Sequence, residues 1–412
     1  MTEYLIIGDG VAGSSAAETL REEDPDADIA VLTDEGEPLY NRILTKEFAK
    51  GKLPEAPIAI HDEEWYAERA IDLHLNTYVT AIDTDDATVH THGGEALSYD
   101  KLLLATGGTP MHVPVPNSHA DGIHHFWTFQ DARAIREHAE RAEAGVVIGA
   151  GLLGIDFAAI CGEHGVPAHY LMRGNRWWRY ALSLEGAEIV HDGLRSKGVE
   201  PVFESGVDRF EVDEDGHVEA TIAPDGERYE SDFVGVAIGL DFNTEYLADT
   251  DIETDDGIVT DEHLQTSVED VYAAGDITQF QDVLLGERTQ NGAWGSAKEQ
   301  GKVAAKNMAA GENVEVFEWV SSYSITHFDF PFLSFGHPTE GEDYLERSYG
   351  ENEWRRIALK DGRIVGGVLI GDLSPQRAYK GLMREQRAVS DQAEALLAET
   401  VDVEEIAPTQ EQ

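Results

Sequence analysis

YLIIGDGVAGSSAAE, residues Tyr4 to Glu18, decides how this chain is read. The apolar run Tyr4 to Ile7 reads as a strand buried on both faces of a parallel sheet. Gly8, Gly10 and Gly13 follow at G-x-G-x-x-G spacing and open a helix of small residues, Ser14, Ala16 and Ala17. Each glycine has a physical task. Gly8 permits the tight turn, Gly10 lets a pyrophosphate approach the backbone beside Ala12, and Gly13 lets the helix pack on the sheet. The helix start adds unpaired N–H groups and a partial positive charge. A second strand, Ile29 to Leu32, runs into Asp34 and Glu35, which lie ~20 residues on, where a ribose-binding carboxylate belongs. Gly-rich turns also serve as plain punctuation. Here strand, helix and acidic end occur together, which favours a dinucleotide site.

The pattern recurs. Val146 to Ile148 is a second apolar run, followed by Gly149, Gly151 and Gly154 at the same spacing. Two fingerprints, each between a strand and a helix, indicate two dinucleotide-binding domains. The strand after the second one, Ala168 to Leu171, ends differently. It runs into Met172, Arg173 and Arg176, with Trp177 and Trp178 beside them and no carboxylate. Guanidinium groups match the charge and shape of a 2′-phosphate, so NADPH is expected at this site, with NADH as the alternative. The competing reading is that these arginines cover an acidic surface.

That surface is expected to be very acidic. The 412 residues carry 80 Asp plus Glu against 30 Lys plus Arg, a formal charge of -50. Such a charge argues against nucleic acid or an anionic membrane as a partner. It fits a solvated surface of the kind halophiles carry. The acidic runs Glu22–Asp28, Glu211–Asp215 and Asp249–Asp256 are expected at turns and surfaces. The regular apolar strands exclude an acidic disordered chain. One cysteine, Cys161, is present, so no intrachain disulfide can form. The 16 histidines show no metal-ligand spacing, and no metal is expected. No leader precedes the first strand and no apolar run reaches the ~18 residues of a membrane span, so a cytoplasmic protein is expected.

Further stretches carry a resemblance. Tyr40-Asn41-Arg42-Ile43-Leu44-Thr45-Lys46, Tyr99-Asp100-Lys101-Leu102-Leu103-Leu104-Ala105-Thr106-Gly107, Thr266 to Asp276 and Trp294 to Met308 all resemble motifs of one family. It is the FAD-dependent pyridine nucleotide-disulfide oxidoreductases, in the branch of ferredoxin reductases, rubredoxin reductases and nitrite reductase FAD domains. The resemblance implies that Arg42 contacts FAD and that Lys46 lies near flavin N5. It implies that Ala105, Thr106 and Gly107 form a small-residue turn at FAD, and that Gly275-Asp276 presents Asp276 to the ribityl hydroxyls. It places Trp294 near the isoalloxazine, with the helix N-terminus behind it aimed at the ring's pyrimidine end. It also implies that Asp156, where the family usually has Glu, pairs with Lys46 at the hydride-transfer site. Asp is one methylene shorter, so a looser or water-bridged contact is expected; the bland alternative is an ordinary acid at a helix start.

The expected fold is α/β: two Rossmann-like dinucleotide domains and a small C-terminal α/β domain. Residues 1–112 and 241–318 would form a split FAD domain. Residues 113–240 would form an inserted NAD(P) domain, closed by the strand Phe233 to Gly239, with Gly239 at its nucleotide end. Residues 319–412 would form an interface domain with a D-G hairpin at Asp361-Gly362 and a helix over roughly Pro375–Thr400. Residues Ile71–Val89 are expected as a meander and Val199–Ile222 as hairpin strands. By resemblance the chain takes a hydride from NAD(P)H onto FAD. Relatives with disulfide chemistry need a cysteine pair, or a redox cysteine near Thr45, and this chain has neither. The electrons would then leave for an external acceptor: ferredoxin, rubredoxin, the sirohaem component of a nitrite reductase, or another haem or iron–sulfur protein. A redox-sensing FAD/NAD(P)H binding protein is the rival from another class, and a monooxygenase a less natural one. The oligomeric state stays open, a homodimer included.

Overall fold

The computed structural model describes residues 2–325, 328–404 and 406. The chain divides into two compact units. The first is Met1–Asn41, Ala56–Thr109 and Asp241–Ser321, and the second Arg42–Glu55, Pro110–Leu240 and Ser322–Gln412.

In the first unit a parallel sheet runs in the order Ile71–His74, Ile29–Leu32, Thr2–Ile7, Ala96–Leu104, and Val271–Ala273 pairs with Ala96–Leu104. Its central strands are apolar without alternation because both faces are covered; Leu5, Ile6, Val31, Leu32 and Leu103 are fully buried. Ile71–His74 pairs in parallel with Ile29–Leu32, so it is a sheet strand and not part of the expected meander. Only Val79–Asp83, Thr88–Thr91 and the start of Ala96–Leu104 run antiparallel. Helix Val11–Glu23 packs on helix Trp294–Ala310. The two backbones come close at Gly301, where a Cβ would lie 2.1 Å from the Ala12 carbonyl oxygen.

The second unit holds another parallel sheet, ordered Val199–Phe203, Ala168–Met172, Gly145–Ile148, Phe233–Val236, Ile123–His125. Val199–Phe203 is therefore a parallel strand, and the antiparallel pairing expected there begins only at Arg209–Val212 and Val218–Ile222. Helix Arg42–Ala49 groups with this unit, not with the segment before it. Phe48 meets Phe129 edge-on at 5.3 Å, and Lys52 pairs with Glu163 at 2.8 Å.

A five-stranded antiparallel sheet carries the C-terminal part, ordered Ser322–Ile325, Phe332–Gly336, Arg363–Ile370, Glu353–Lys360, Asp343–Gly350. Its tight turn sits at Asp361 (φ 49°) and Gly362 (φ 71°), the doubly left-handed geometry that D-G favours. The single C-terminal helix is corrected. Helix Gln376–Arg384 stops, Gln386 turns left-handed at φ 47°, and Val389 N donates to Gly362 O at 2.7 Å. A short turn, Ala393–Leu396, follows. Leu382, Val389 and Leu396 are all buried, so the apolar spacing reported burial rather than one continuous helix. Among the described residues, no helix is long and apolar enough to cross a membrane.

Candidate functional site

The two glycine turns are built alike. Gly8 has φ 107°, and a Cβ there would lie 2.1 Å from the Ala105 carbonyl oxygen; Gly149 has φ 113°, and a Cβ would lie 2.0 Å from that of Ala237. Gly13 is closed in the same way by Gly8 O at 1.9 Å, and Gly154 by Gly149 O at 2.3 Å. In both turns the middle glycine is the exception: a Cβ on Gly10 or Gly151 would meet nothing within 4 Å. Those two glycines are also the helix N-caps, and neither supplies a side-chain cap. Each turn thus has an open approach to helix N–H groups, which is what a pyrophosphate requires.

Other residues gather at the first turn. Ala105 is buried, its N donating to Ile7 O at 2.7 Å; Thr106 is exposed and Gly107 left-handed at φ 66°. Gly275, at φ 88°, comes against Ala12, where its Cβ would be 3.2 Å from that of Ala12. Its N–H is held by the buried Gln300 Oε1 at 2.7 Å. Asp276 follows directly, its carboxylate 3.6 to 3.9 Å from where a Cβ on Gly292 would lie. Asp34 is exposed, while Glu35 is half-buried and accepts from Tyr40 Oη at 2.6 Å. Trp294 packs partly buried against the core of this unit. Asp9, between the first two glycines, carried no role in the sequence. It is 7% exposed and accepts from Tyr66 Oη at 2.6 Å and from Leu39 N at 3.0 Å. Burial pushes its carboxyl up to about 7 against the pull of those two donors.

At the second turn, Gly239 is left-handed at φ 125° and accepts from Met111 N at 3.0 Å. Arg173 is exposed just past strand Ala168–Met172. Arg176 is engaged within its own loop. Its guanidinium donates to Leu182 O at 2.7 Å, Arg179 O at 2.8 Å and Asn175 Oδ1 at 2.9 Å. These donors stitch its own loop, which leaves Arg173 as the candidate for a 2′-phosphate. Trp177 is fully buried and donates from Nε1 to Gly151 O at 3.3 Å, so it supports the turn from behind.

A buried ion pair lies within the second unit. Lys46 Nζ stands 2.6 Å from Asp156 Oδ2, their side chains 20% and 1% exposed. The shorter side chain was expected to loosen this contact or admit a water; the contact is direct. Tyr323, absent from the sequence reading, completes it by accepting from Lys46 Nζ at 2.9 Å and donating to Asp156 Oδ2 at 3.0 Å. Burial opposes the charge on Lys46, but Asp156 and Tyr323 outweigh it and hold the amine above its ordinary value. One turn on, Lys50 is buried against Glu47 at 2.7 Å, and burial pushes its amine down. Arg42 donates to Trp127 O at 2.5 Å and lies 5.2 Å from that ring's centroid. Cys161 is fully buried, its thiol pushed up to about 12 by burial, which is the reverse of a reactive thiolate.

The family model described as pyridine nucleotide-disulphide oxidoreductase matches residues 2–305. The chain belongs to that family. Residues 324–387 match the rubredoxin NAD+ reductase C-terminal domain. FAD and NAD(P)H are the cofactors this family of flavoprotein oxidoreductases uses, and the two open glycine turns fit them. Nitrite reductase [NAD(P)H] of Bacillus subtilis (strain 168) is 27% identical over 94% of this chain, which spans only 48% of that protein. The NADH-rubredoxin oxidoreductase of Clostridium acetobutylicum is 28% identical over 90% of this chain and 92% of its own length. The reductase in the crystal structure of the covalent putidaredoxin reductase–putidaredoxin complex superposes with TM-score 0.91 at 26% identity, covering 98% of both chains. The chain thus spans about half the length of the first relatives it matches, since a second Bacillus subtilis protein, an assimilatory nitrate reductase electron transfer subunit, is covered to 50%.

Proposed function

We propose that this chain takes a hydride from NAD(P)H onto FAD and passes the electrons to an external protein acceptor of the ferredoxin, rubredoxin, or haem and iron–sulfur class. The observation that supports it is the pairing of two open glycine turns with a single thiol that is buried and unreactive. The names of the relatives, which include nitrite and rubredoxin reductases, agree with an acceptor outside the chain. Bound FAD supplies the ability to accept an electron pair and release it singly, which nicotinamide lacks.

The chain's own residues do the rest. The first turn, with Ala12, Thr106 and Asp276, binds the FAD pyrophosphate and ribityl chain, and Asp34 and Glu35 serve its ribose. The second turn binds the pyridine nucleotide, with Arg173 selecting NADPH. Lys46 supplies a fixed positive charge for the hydride step, kept protonated by Asp156. The single cysteine suits a reducing, cytoplasmic compartment.

Stopped-flow mixing tests this reading. NADPH should bleach the flavin rapidly, and a ferredoxin or rubredoxin should reoxidise it over repeated turnovers. Bleaching without turnover on any protein acceptor would instead favour a redox-sensing binding protein. Absence of bleaching by either nucleotide would end the proposal.

A further inference from the structure

The C-terminal sheet carries a residue into the ion pair. Tyr323 lies on strand Ser322–Ile325, the edge strand of that sheet, opposite Ser334. Lys46 comes from helix Arg42–Ala49 and Asp156 from helix Leu152–His164. Three segments far apart in sequence therefore meet at three polar atoms, with separations of 2.6, 2.9 and 3.0 Å. The Tyr323 ring also lies beneath the ammonium, 4.9 Å from Nζ to its centroid.

The geometry answers a specific need. Asp156 is 1% exposed. A buried carboxylate is costly unless it is paired and its lone pairs are occupied. The Tyr323 hydroxyl donates to the same Oδ2 that Lys46 holds and at the same time accepts from Lys46, so a neutral group serves both charges. Burial, and then the charge of Asp156, push the phenol well above its ordinary range, and it remains a donor throughout the neutral region. Among the described residues, the other titratable groups that bear on the pair include Lys50, with its partner Glu47, on the Lys46 helix and Tyr170 on strand Ala168–Met172.

We propose that Tyr323 is the positioning residue of this site, fixing Lys46 as an ammonium and Asp156 as a carboxylate, so that the C-terminal sheet sets the protonation and orientation of the hydride-transfer pair. This rests on the reductase reading for its rate consequence, but not for the coupling itself. The sheet then has a second role beside any interface: a shift of its edge strand is felt at Lys46.

The test uses the FAD-loaded full chain and the substitution Tyr323→Phe, which keeps the ring and removes only the hydroxyl. The readout independent of turnover is the Lys46 side-chain 15N resonance, identified by its loss in Lys46→Arg. In Tyr323→Phe it should lose its ammonium signature at a lower pH than in the parent protein. The alkaline limb of flavin reduction by NAD(P)H should move down in step, with the rate near neutrality falling about tenfold, the loss of roughly one hydrogen bond to a charged group. In an Asp156→Asn background the same substitution should change the rate by clearly less than in the parent, because the carboxylate, one of the two charges it serves, is gone. Tyr323→Gln, which both donates and accepts, should recover part of the Lys46 shift. Identical Lys46 titrations and pH profiles in parent and Tyr323→Phe overturn the proposal. If neither nucleotide bleaches the parent flavin, the reductase reading fails on its own, and the Lys46 titration still decides for or against Tyr323.

Discussion

The first and second glycine turns share one backbone solution and differ in what surrounds it. Gly8 N donates to Leu32 O and Gly149 N to Leu171 O, so the following strands align residue for residue. Asp34 then stands where Arg173 stands, and Val31 where Tyr170 stands. Asp9 in the first turn corresponds to Ala150 in the second. The shared glycines are dictated by backbone contact, and on the proposed reading the differing neighbours would decide which dinucleotide each turn takes. Shape makes a pyrophosphate site; the residues at the strand ends and between the glycines give it an identity.

The largest effect is expected from breaking the shared part. Gly8→Ala and Gly149→Ala each force a side chain into a left-handed backbone with a carbonyl oxygen about 2 Å from the new Cβ. Each should cost about 2–4 kcal/mol by strain and overpacking, read as a fall in melting temperature. The chemical losses should differ. Gly8→Ala should purify without flavin colour. Gly149→Ala should keep its FAD and lose reduction by NAD(P)H by about 100-fold. Release of FAD by Gly149→Ala would show that the turns do not divide the two cofactors in this way.

Asp9 sharpens the contrast through pH. Its carboxyl is raised from its usual range to about 7 because it is buried. The folded state therefore holds this proton more tightly than the unfolded chain. The resulting stability is fully present below the unfolded carboxylate value and is lost as pH rises through about 7. The difference in melting temperature between parent and Asp9→Asn should accordingly change between pH 4 and pH 7, with the parent losing ground as pH rises. The second turn, with Ala150, contributes no such slope. Parallel melting curves across that range would mean that Asp9 stays ionised in its pocket of donors.

How much of this was legible follows from where each constraint originates. The glycines were readable because their neighbours are local or belong to equally recognisable strands, as with Ala105 and Ala237. The parallel strand Val199–Phe203 was misread because an isolated strand does not declare its partner; pairing with Ala168–Met172 is a tertiary choice. The end of helix Gln376–Arg384 was missed because the chain leaves it to bond with Gly362, and the buried side chains continue at nearly helical spacing. Tyr323 lies 277 residues from Lys46, and nothing in a Ser-Tyr-Ser strand marks it as a partner for an ion pair. Asp9 did carry a signal, a carboxylate at the heart of an anion-binding turn, which runs against the electrostatics of the site and so requires a local explanation.

A smaller effect is expected from exchanging the strand ends. Arg173→Asp gives the second turn the residue that the first has at Asp34. The ratio of KM for NADPH to KM for NADH should rise about 10- to 100-fold, the worth of a charge-assisted contact of roughly 1.5–3 kcal/mol. Arg176→Ala should leave that ratio alone and lower stability instead, because its donors bind the loop's own carbonyls. Equal shifts in both variants would return Arg176 to the phosphate.

The smallest effect is expected at Tyr170, which the first turn lacks. The side chain is fully buried, and among the described residues its hydroxyl makes no well-formed hydrogen bond, the Trp177 indole being its nearest polar neighbour by electrostatics. A Cβ on Gly154 would lie 2.2 Å from that hydroxyl, so the phenol itself helps to make the third glycine necessary. Burial, with Asp156 and Tyr323 adding to it, pushes the phenol far above its ordinary range and keeps it neutral. A buried hydroxyl without a partner carries a desolvation cost of about 1–3 kcal/mol. Removing it in Tyr170→Phe should therefore raise the stability of the nucleotide-free protein by roughly 1 kcal/mol, with the ring still filling its place. A loss of stability would mean that the hydroxyl has found a partner, and a loss seen only with NAD(P)H present would place that partner on the bound nucleotide. The second turn would then be specified by a phenol from below as well as by an arginine from its strand end, where the first turn has only Val31.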